Sequence, residues 1–395
     1  MSQTIGILHK EFPFGGAETA TIRLAEGLST RGYSVIVFCT DYKKELENAT
    51  QARNYRVQLL PDSADINSSR NIQFLTESLP KFSIHLLCVA YNGFLPLMQK
   101  LKGTTGLHVI YLQHGQPFWE LQPRLDATAR KGFMKIRVAC LDRPKERLFH
   151  YYTRRWKRVY CGLYQACDTY VTLHPAYSLE IRKAIGCDGG KFVSIPNMTG
   201  PTKPSTAGKK KHLLYCGRMS HSDKRVDRLL RIWKHIQNKV PDWELILTGD
   251  GPERPRLEKM ADRLGLKRVR FEGWQKDMSA HYQEASVVCL TSTFESFGLC
   301  LVEGMDYGCI PVAFACSAGV EDIIQGYGIL VPPFQLKPYA DALVRLMTDE
   351  NLRQTLRKRS AEGAARFHPE NIIPLWDKLF QSILNGQTII NPLKP

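Results

Sequence analysis

The sequence predicts an α/β protein of two doubly wound domains, each a parallel sheet covered by helices on both faces. Short apolar runs alternate with amphipathic segments along nearly the whole chain, which is typical of parallel sheets. A stretch rich in Pro, Gly, Thr and Lys at 197–211 interrupts this alternation. The length of 395 residues also exceeds what one hydrophobic core usually fills. We therefore expect an N-terminal domain at 1–197, a linker at 198–211 and a C-terminal domain at 212–367.

Apolar runs on both sides of the interruption are predicted to be strands. Those of the first half are Ile5–Leu8, Ser34–Cys39, Arg56–Leu60, Ile84–Ala90, His108–Gln113, Thr169–Leu173 and Phe192–Pro196. Those of the second half are Leu213–Cys216, Glu244–Thr248, Val269–Glu272, Val287–Leu290, Ile310–Ala313 and Ile329–Val331. Helical segments fall between them, for example Ala17–Arg31 and Ala176–Ile185. We expect the last helix, at about 368–385, to pack back on the N-terminal domain.

Amino-acid composition and net charge restrict the classes of protein to which this chain could belong. Hydrophobic residues at 43% and charged residues at 23% are ordinary for a soluble globular protein, and no stretch approaches the ~20 apolar residues of a transmembrane helix. The N-terminus has no basic leader and reads as a first strand. The eleven cysteines form no C-x-x-C pair, so we expect reduced thiols in a cytosolic protein and no metal site. The net charge of +16 fits nucleic acid, an anionic membrane face or a phosphate-bearing substrate.

The segment Phe294–Glu303 carries two glutamates eight positions apart. Glu295 closes a loop after an apolar run, and Glu303 lies in an apolar segment that we predict to be a helix starting near Gly298. A helix N-terminus presents free backbone N–H groups and a positive dipole end, where an anionic diphosphate binds. A carboxylate beside such a phosphate site is suited to accepting hydrogen bonds from sugar hydroxyls.

This segment resembles the C-terminal motif of retaining nucleotide-sugar glycosyltransferases of glycosyltransferase family 4. The resemblance implies the GT-B fold, in which two Rossmann-like domains face each other across the cleft that holds the active site. It also implies that Glu295 contacts hydroxyls of the donor sugar and that Glu303 binds the nucleotide ribose. The backbone N–H groups of Phe297, Gly298 and Leu299 would meet the diphosphate.

A basic loop after the first strand of the second domain extends the resemblance. Gly217 and Arg218 end that strand, and Lys224 follows six residues after the arginine. Two permanent cations on one loop suit a diphosphate leaving group, whose charge grows as the glycosidic bond breaks. They resemble the family's Gly-Arg…Lys pair, which commonly does the work of a metal ion, so no metal or other cofactor is expected. The chain departs from the family in the insertion 221–223 and in Arg225, where the family usually has glycine.

Three further motifs follow strands; the glycine pair also fits an ordinary turn into a helix, and the histidine also fits a core position. In the family, the loop of Gly273 and Trp274 brackets the nucleobase with main-chain groups, and Trp274 could stack on the base or simply pack. Gly15 and Gly16 match the family's Gly-Gly-x-Glu loop beside the donor phosphates. His114 ends an apolar strand, at a position where a family histidine faces the donor sugar and the reacting centre.

The segment from Arg130 to Arg158 contains eleven Lys or Arg and two acidic residues. Its net charge of +9 is more than half of the net charge of +16 of the whole chain. A continuous helix over 147–160 would carry an apolar face opposite a basic face of Arg147, Arg154, Lys157 and Arg158. The apolar face would consist of Leu148, Phe149, Tyr152, Trp156, Val159 and Tyr160. Such a helix could lie on an anionic membrane surface, or its apolar face could pack on the sheet.

The leading hypothesis is a cytoplasmic glycosyltransferase, peripheral on the inner face of the cell membrane. It would transfer a sugar from a nucleoside-diphosphate donor, most simply a UDP-sugar, to a hydroxyl of a lipid-linked saccharide in polysaccharide or glycoconjugate biosynthesis, with retention. A nucleotide-sugar epimerase of the same fold is the alternative enzyme. A nucleic-acid-binding protein is the alternative from another class, although the aromatic and basic residues of 130–158 do not interleave as base stacking requires.

Overall fold

The computed structural model describes residues 3–13, 15–43, 54–104, 106–126, 132–200 and 208–387. Contacts between residues divide the chain into two compact units. Unit 1 comprises Met1–Pro117, Tyr152–Met198 and Pro369–Pro395, and unit 2 comprises Phe118–Tyr151 and Thr199–His368.

The division differs from the sequence-based boundaries in one segment, 118–151, which groups with unit 2. Its contacts explain the grouping, because the Trp119 ring lies 6.2 Å from that of Phe294. Within the expected linker, residues 201–207 lie outside the described residues, and the next strand begins earlier than expected, at Lys210.

Unit 1 is built on a seven-stranded parallel sheet of order β5-β3-β1-β6-β7-β8-β9. The seven apolar runs predicted in the first half are these seven strands, with ends shifted by at most two residues. A separate pair, β2 with β4, was not predicted, since each strand has two residues. The strands are β1 (Thr4–Leu8), β2 (Glu11–Phe12), β3 (Ser34–Cys39), β4 (Asp41–Tyr42), β5 (Tyr55–Leu59), β6 (Ile84–Val89), β7 (His108–Gln113), β8 (Thr169–Thr172) and β9 (Phe192–Ser194).

Helices cover this sheet and complete its core. They are α1 (Gly16–Ser29), α2 (Ser69–Lys81), α3 (Leu95–Leu101), α7 (Tyr151–Ala166), α8 (Pro175–Ile185) and α16 (Pro369–Leu384). The last helix buries Trp376 and Phe380 in the same core as Ile5 and Ile7 of the central strand. It also approaches α1 so closely that a Cβ at Gly27 would lie 2.2 Å from Ile373.

Unit 2 is built on a six-stranded parallel sheet of order β12-β11-β10-β13-β14-β15, and all six strands were predicted. The strands are β10 (Lys210–Cys216), β11 (Glu244–Thr248), β12 (Val269–Gly273), β13 (Ala285–Leu290), β14 (Ile310–Phe314) and β15 (Ile329–Val331). The helices are α4 (Leu121–Leu125), α5 (Gly132–Arg137), α6 (Arg143–Phe149), α9 (Val226–Ile236), α10 (Arg254–Arg263), α11 (Ser279–Glu284), α12 (Leu299–Asp306), α13 (Ala318–Ile324), α14 (Leu336–Thr348) and α15 (Glu350–Ala365). The predicted alternation of strands and helices is therefore present in both units.

The single helix predicted over 147–160 is instead two helices, α6 and α7. His150 adopts a left-handed conformation with φ 48°, which ends α6 and separates it from α7. Tyr152 and Tyr160 of α7 are buried, whereas Leu148 of α6 is 70% exposed. The predicted apolar face is therefore divided: its α7 part packs inside unit 1 and Leu148 remains at the surface. Residues 127–131 of this segment lie outside the described residues.

Within the described ranges, the helices are too short or too polar to cross a membrane.

Candidate active site

The loop that follows β10 begins with a close approach to the neighbouring strand. The Gly217 N–H donates to the Thr248 carbonyl at 3.2 Å, and φ of Gly217 is 155°. A Cβ at Gly249 would lie 2.1 Å from the Gly217 carbonyl oxygen, so the two strand ends meet backbone to backbone. This backbone contact fixes the position of Arg218, which follows Gly217 after the end of β10.

Asp223 organises the rest of that loop. Its carboxylate accepts a bond from Arg218 Nη2 at 3.1 Å and bonds from the hydroxyls of Ser220 and Ser222. Its main-chain oxygen accepts the Thr293 N–H at 2.6 Å. Burial alone would raise the pKa of Asp223, but the Ser220 bond and the charge of Arg218 outweigh it and hold the pKa below its usual value. A buried anion therefore holds Arg218, whose side chain is still 61% exposed to a ligand.

Arg225 explains how the chain departs from the family's glycine at this position. Its backbone is left-handed, with φ 50° and ψ 47°, a conformation that costs most residues about 1–2 kcal/mol. The guanidinium donates two bonds to the Asp227 carboxylate at 2.9 and 3.0 Å. The Arg225 carbonyl also accepts the Thr291 hydroxyl at 3.0 Å. These bonds hold an arginine in a glycine-type conformation.

Lys224 and Glu295 form an ion pair in which both side chains are mostly buried. Burial alone would lower the pKa of Lys224, but the neighbouring carboxylates of Glu295 and Asp223 raise it well above its usual value. The Glu295 main-chain oxygen accepts the hydroxyl of Ser317, which also caps α13. Lys224, which is predicted to bind the diphosphate, and Glu295, which is predicted to bind the donor sugar, are therefore direct partners.

The predicted helix N-terminus lies at α12. Gly298 precedes the helix with φ 87°, and Leu299 is its first residue. Phe297 is buried and packs edge-on against Phe367, with ring centroids 5.2 Å apart. The first N–H groups of a helix have no carbonyl partner within it, so they are oriented to bind an anion.

Glu303 lies one turn inside α12, where its Oε2 accepts the Tyr282 hydroxyl at 2.8 Å. Tyr282 is itself buried and its ring stacks on Tyr307. Sequence pattern does not predict a role for Tyr282, because this residue lies on α11 and only the fold brings it to Glu303.

Gly273 ends β12 with φ 74°, and its carbonyl accepts the Gly249 N–H at 2.7 Å. The side chain of Trp274 is 56% exposed. Of the two interpretations given for Trp274, exposure favours a ring available to a ligand over a ring packed in the core.

The remaining predicted residues lie in unit 1. Gly15 caps α1 at φ 115°, and Gly16 is the first residue of that helix. His114 follows β7 and lines a cavity of about 30 Å³ together with Thr21 and Asn197. Both of its ring nitrogens are buried and have no hydrogen-bond partner among the described residues. Burial, together with the nearby His9, lowers the pKa of His114 to about 3.

The four charged residues predicted in unit 2, Arg218, Lys224, Glu295 and Glu303, therefore each have a defined side-chain partner. Two cations and a helix N-terminus can bind a diphosphate, and two carboxylates can accept bonds from hydroxyls. Within the part of the chain that the structure describes, His, Cys, Asp and Glu side chains form no group of three or more that could hold a metal ion.

Two family models match the chain. The model described as Glycosyltransferase Family 4 matches residues 14–201, and the model described as Glycosyl transferases group 1 matches residues 210–349. Each match falls on one half of the chain.

Individual proteins are similar over part of the chain. An exopolysaccharide phosphotransferase, SCO2592, of Streptomyces coelicolor is 29% identical over 56% of this chain and 24% of its own length. A GalNAc-alpha-(1->4)-GalNAc-alpha-(1->3)-diNAcBac-PP-undecaprenol alpha-1,4-N-acetyl-D-galactosaminyltransferase of Campylobacter jejuni is 28% identical over 46% of this chain and 51% of its own. The chain thus spans a quarter to a half of these relatives.

Among solved structures, HepE of Anabaena in complex with UDP and glucose aligns with a TM-score of 0.73 and 17% identity. The alignment covers 96% of this chain and all of that one, so the fold is shared throughout. Each half of the chain therefore matches a glycosyltransferase model of the family 4 or group 1 type, and the fold is GT-B.

Proposed function

We propose that this protein transfers a hexose from a nucleoside-diphosphate sugar, most simply a UDP-sugar, to a hydroxyl of a lipid-linked saccharide, with retention at the anomeric carbon. The observation that carries the proposal is the arrangement of unit 2, in which Arg218, Lys224 and the N-terminus of α12 accompany Glu295 and Glu303. This set combines groups for a diphosphate with groups for sugar hydroxyls.

The cations stabilise the leaving group. The bond from the anomeric carbon to the diphosphate oxygen breaks as the bond to the acceptor oxygen forms. Negative charge accumulates on the departing diphosphate, where Arg218, Lys224 and the α12 N–H groups act. The acceptor proton moves to a phosphate oxygen of the leaving group, so no protein base is needed. Retention by this same-face path is carried by the family resemblance.

The carboxylates and the histidine select and orient the donor. Glu303, held by Tyr282, accepts bonds from the ribose, and Glu295 accepts bonds from the sugar. The buried imidazole of His114 is neutral, so one ring nitrogen can donate a hydrogen bond and the other can accept one from a sugar hydroxyl. Trp274 offers an exposed ring to the nucleobase.

The relatives supply the choice of substrates. HepE was solved with UDP and glucose, which supports a UDP-sugar, and the Campylobacter jejuni relative acts on a PP-undecaprenol-linked saccharide, which supports a lipid-linked acceptor. A lipid-linked acceptor is the reason to propose a cytoplasmic enzyme at the inner face of the membrane.

Thermal stabilisation by a panel of UDP- and GDP-sugars tests the donor. A ligand at 100 times its dissociation constant adds about 2.7 kcal/mol, so the true donor will raise Tm measurably above the others. Proton NMR of the product on a synthetic acceptor will give the anomeric configuration. Inversion would refute retention. Conversion of the donor sugar without any acceptor would favour the epimerase alternative.

Metal independence is part of the proposal. Because Arg218, Lys224 and the α12 N-terminus already neutralise the diphosphate, turnover should survive EDTA. Complete loss of activity in EDTA, with recovery on adding Mg²⁺ or Mn²⁺, would show that the cations are insufficient.

A further inference from the structure

Exposed apolar side chains are concentrated in one short stretch of unit 2. Of the twelve large hydrophobic side chains that are exposed in the described part of the chain, six fall between residues 133 and 151. Phe133 is 75% exposed and Ile136 is 61% exposed. Such a cluster marks an interaction surface rather than the scatter expected of single exposed residues.

Helices α5 and α6 generate this surface. They are joined by a π-helical turn, Val138–Asp142, and burial is strongest at the two ends of that turn. Phe133, Ile136 and Cys140 are spaced three and four residues apart, so they share a face of the helix. We call the exposed large apolar and basic side chains of this stretch, together with Cys140, the α5–α6 surface: Phe133, Met134, Lys135, Ile136, Arg137, Cys140, Leu141, Arg143, Lys145, Arg147, Leu148 and Tyr151.

The charge of the α5–α6 surface is positive. Residues 132–151 include five Lys or Arg but only two acidic residues, Asp142 and Glu146. Asp142 is buried and lies 3.8 Å from Arg137, so it contributes little negative charge to the exposed side. The exposed side therefore combines apolar tips with cations, which is the composition of helices that lie in the interface of anionic membranes.

The basic residues of α7 lack this combination. Arg154, Arg155 and Arg158 are exposed, but the apolar neighbours Tyr152 and Tyr160 are buried. These arginines could attract anionic lipid yet have few apolar groups to insert beside it.

We propose that the α5–α6 surface docks the protein on an anionic lipid membrane, with its apolar side chains inserted at the headgroup level and its cations on lipid phosphates. The choice of a membrane as partner rests on the proposed lipid-linked acceptor, whereas the surface itself is independent of that function. Of the basic face that the sequence predicted, only Arg147 belongs to this surface, because Arg154, Lys157 and Arg158 lie on the separate helix α7.

Co-sedimentation of the full chain with vesicles tests the proposal. Binding is expected to phosphatidylcholine vesicles that contain phosphatidylglycerol, with weaker binding as salt rises and none to pure phosphatidylcholine. Phe133→Ser with Ile136→Ser and Leu148→Ser should reduce partitioning at least tenfold. Replacing Lys135, Arg143, Lys145 and Arg147 with Gln should reduce partitioning on the order of 10³-fold, since each cation near the surface contributes about fivefold.

The matched control carries Gln at Arg154, Arg155 and Arg158 of α7. It should keep most of the wild-type binding. Loss of binding in this control, with normal binding in both α5–α6 variants, would overturn the proposal. Donor-induced thermal stabilisation, measured without lipid, should be normal in all three variants and shows that each is folded. Vesicle binding needs no turnover, so failure of the docking surface is distinguishable from failure of the proposed reaction.

Cys140 provides a readout in the unmodified protein. It is exposed, whereas Cys187 is half-buried and lies in unit 1. Anionic vesicles should slow modification of Cys140 by a water-soluble maleimide several-fold and leave Cys187 unchanged, as followed by peptide mass spectrometry. Equal rates with and without vesicles would contradict docking by this surface.

Light scattering without lipid tests whether the surface binds a second copy of the chain instead. A wild-type dimer that becomes a monomer in the serine variant would assign the surface to that contact and overturn membrane docking.

Discussion

The polar groups of the two units are held in opposite ways. In unit 2, Arg218 is bonded to Asp223, and Lys224 is paired with Glu295, before any ligand binds. In unit 1, the nitrogens of His114 are buried without a described partner, and burial keeps the imidazole neutral. The charged groups are preorganised by other side chains, so the diphosphate of the proposed donor would meet a fixed electrostatic field at little cost of reorganisation. The histidine instead keeps hydrogen-bonding capacity that no described side chain satisfies.

The strongest test of this comparison removes an exposed cation from unit 2. Arg218→Ala should lower turnover on the order of 10²-fold or more, because the arginine acts on charge that develops in the transition state. Steady-state kinetics checks the rate, and far-UV circular dichroism should be unchanged. Arg231→Ala, on the exposed side of α9, is the control and should be near normal. Near-normal turnover in Arg218→Ala would remove this residue from the site.

Substitutions of the two glutamates should affect different kinetic parameters. Glu303→Ala should raise KM for the donor about 10-fold or more, since bonds to a charged acceptor contribute about 1.5–3 kcal/mol. Glu295→Ala should act mainly on kcat and on the choice of sugar, and it also leaves Lys224 without its partner. Equal, small effects of both substitutions would mean that the spacing match is coincidental.

Asp223 is expected to position Arg218 without contacting substrate. Asp223→Asn should lower kcat about tenfold, because the loss of one charged hydrogen bond weakens the hold on the guanidinium. A double-mutant cycle with Arg218→Ala separates this role from a general loss of stability, since the two effects should then be strongly non-additive. Additive effects would contradict a positioning role.

His114 gives unit 1 a pH-dependent stability. Its pKa is about 3 in the folded protein and 6.5 ordinarily, so the unfolded chain binds the proton more readily between these values. Stability should therefore fall as pH drops below 6.5, by about 1.4 kcal/mol per pH unit from this group. The Tm of His114→Gln should rise relative to wild type between pH 7 and pH 5 in matched thermal scans. A constant Tm difference would show that the histidine is not held neutral.

Tyr282→Phe should have the smallest effect. Loss of its hydroxyl leaves Glu303 in place with one bond fewer, so KM for the donor should rise about two- to tenfold with little change in kcat. A donor with 2′,3′-dideoxyribose should be nearly insensitive to the substitution, because it cannot use Glu303. An equal loss with both donors would assign Tyr282 a structural role alone.

The sequence by itself determined all thirteen strands of the two main sheets and the position of the motif loops after them. It could do so because strand and helix periodicities, glycine turns and helix starts are local properties of the chain. The spacing of Glu295 and Glu303 likewise follows from one loop and one helix.

The tertiary structure decided which groups become partners. Tyr282 reaches Glu303 from another helix, and the segment 118–151 groups with unit 2 through contacts such as that of Trp119. The left-handed His150 divides the basic segment into two helices, which moves the exposed apolar surface to α5 and α6. Such outcomes depend on packing between segments distant in sequence or on the backbone conformation of one residue, and neither periodicity nor composition encodes them.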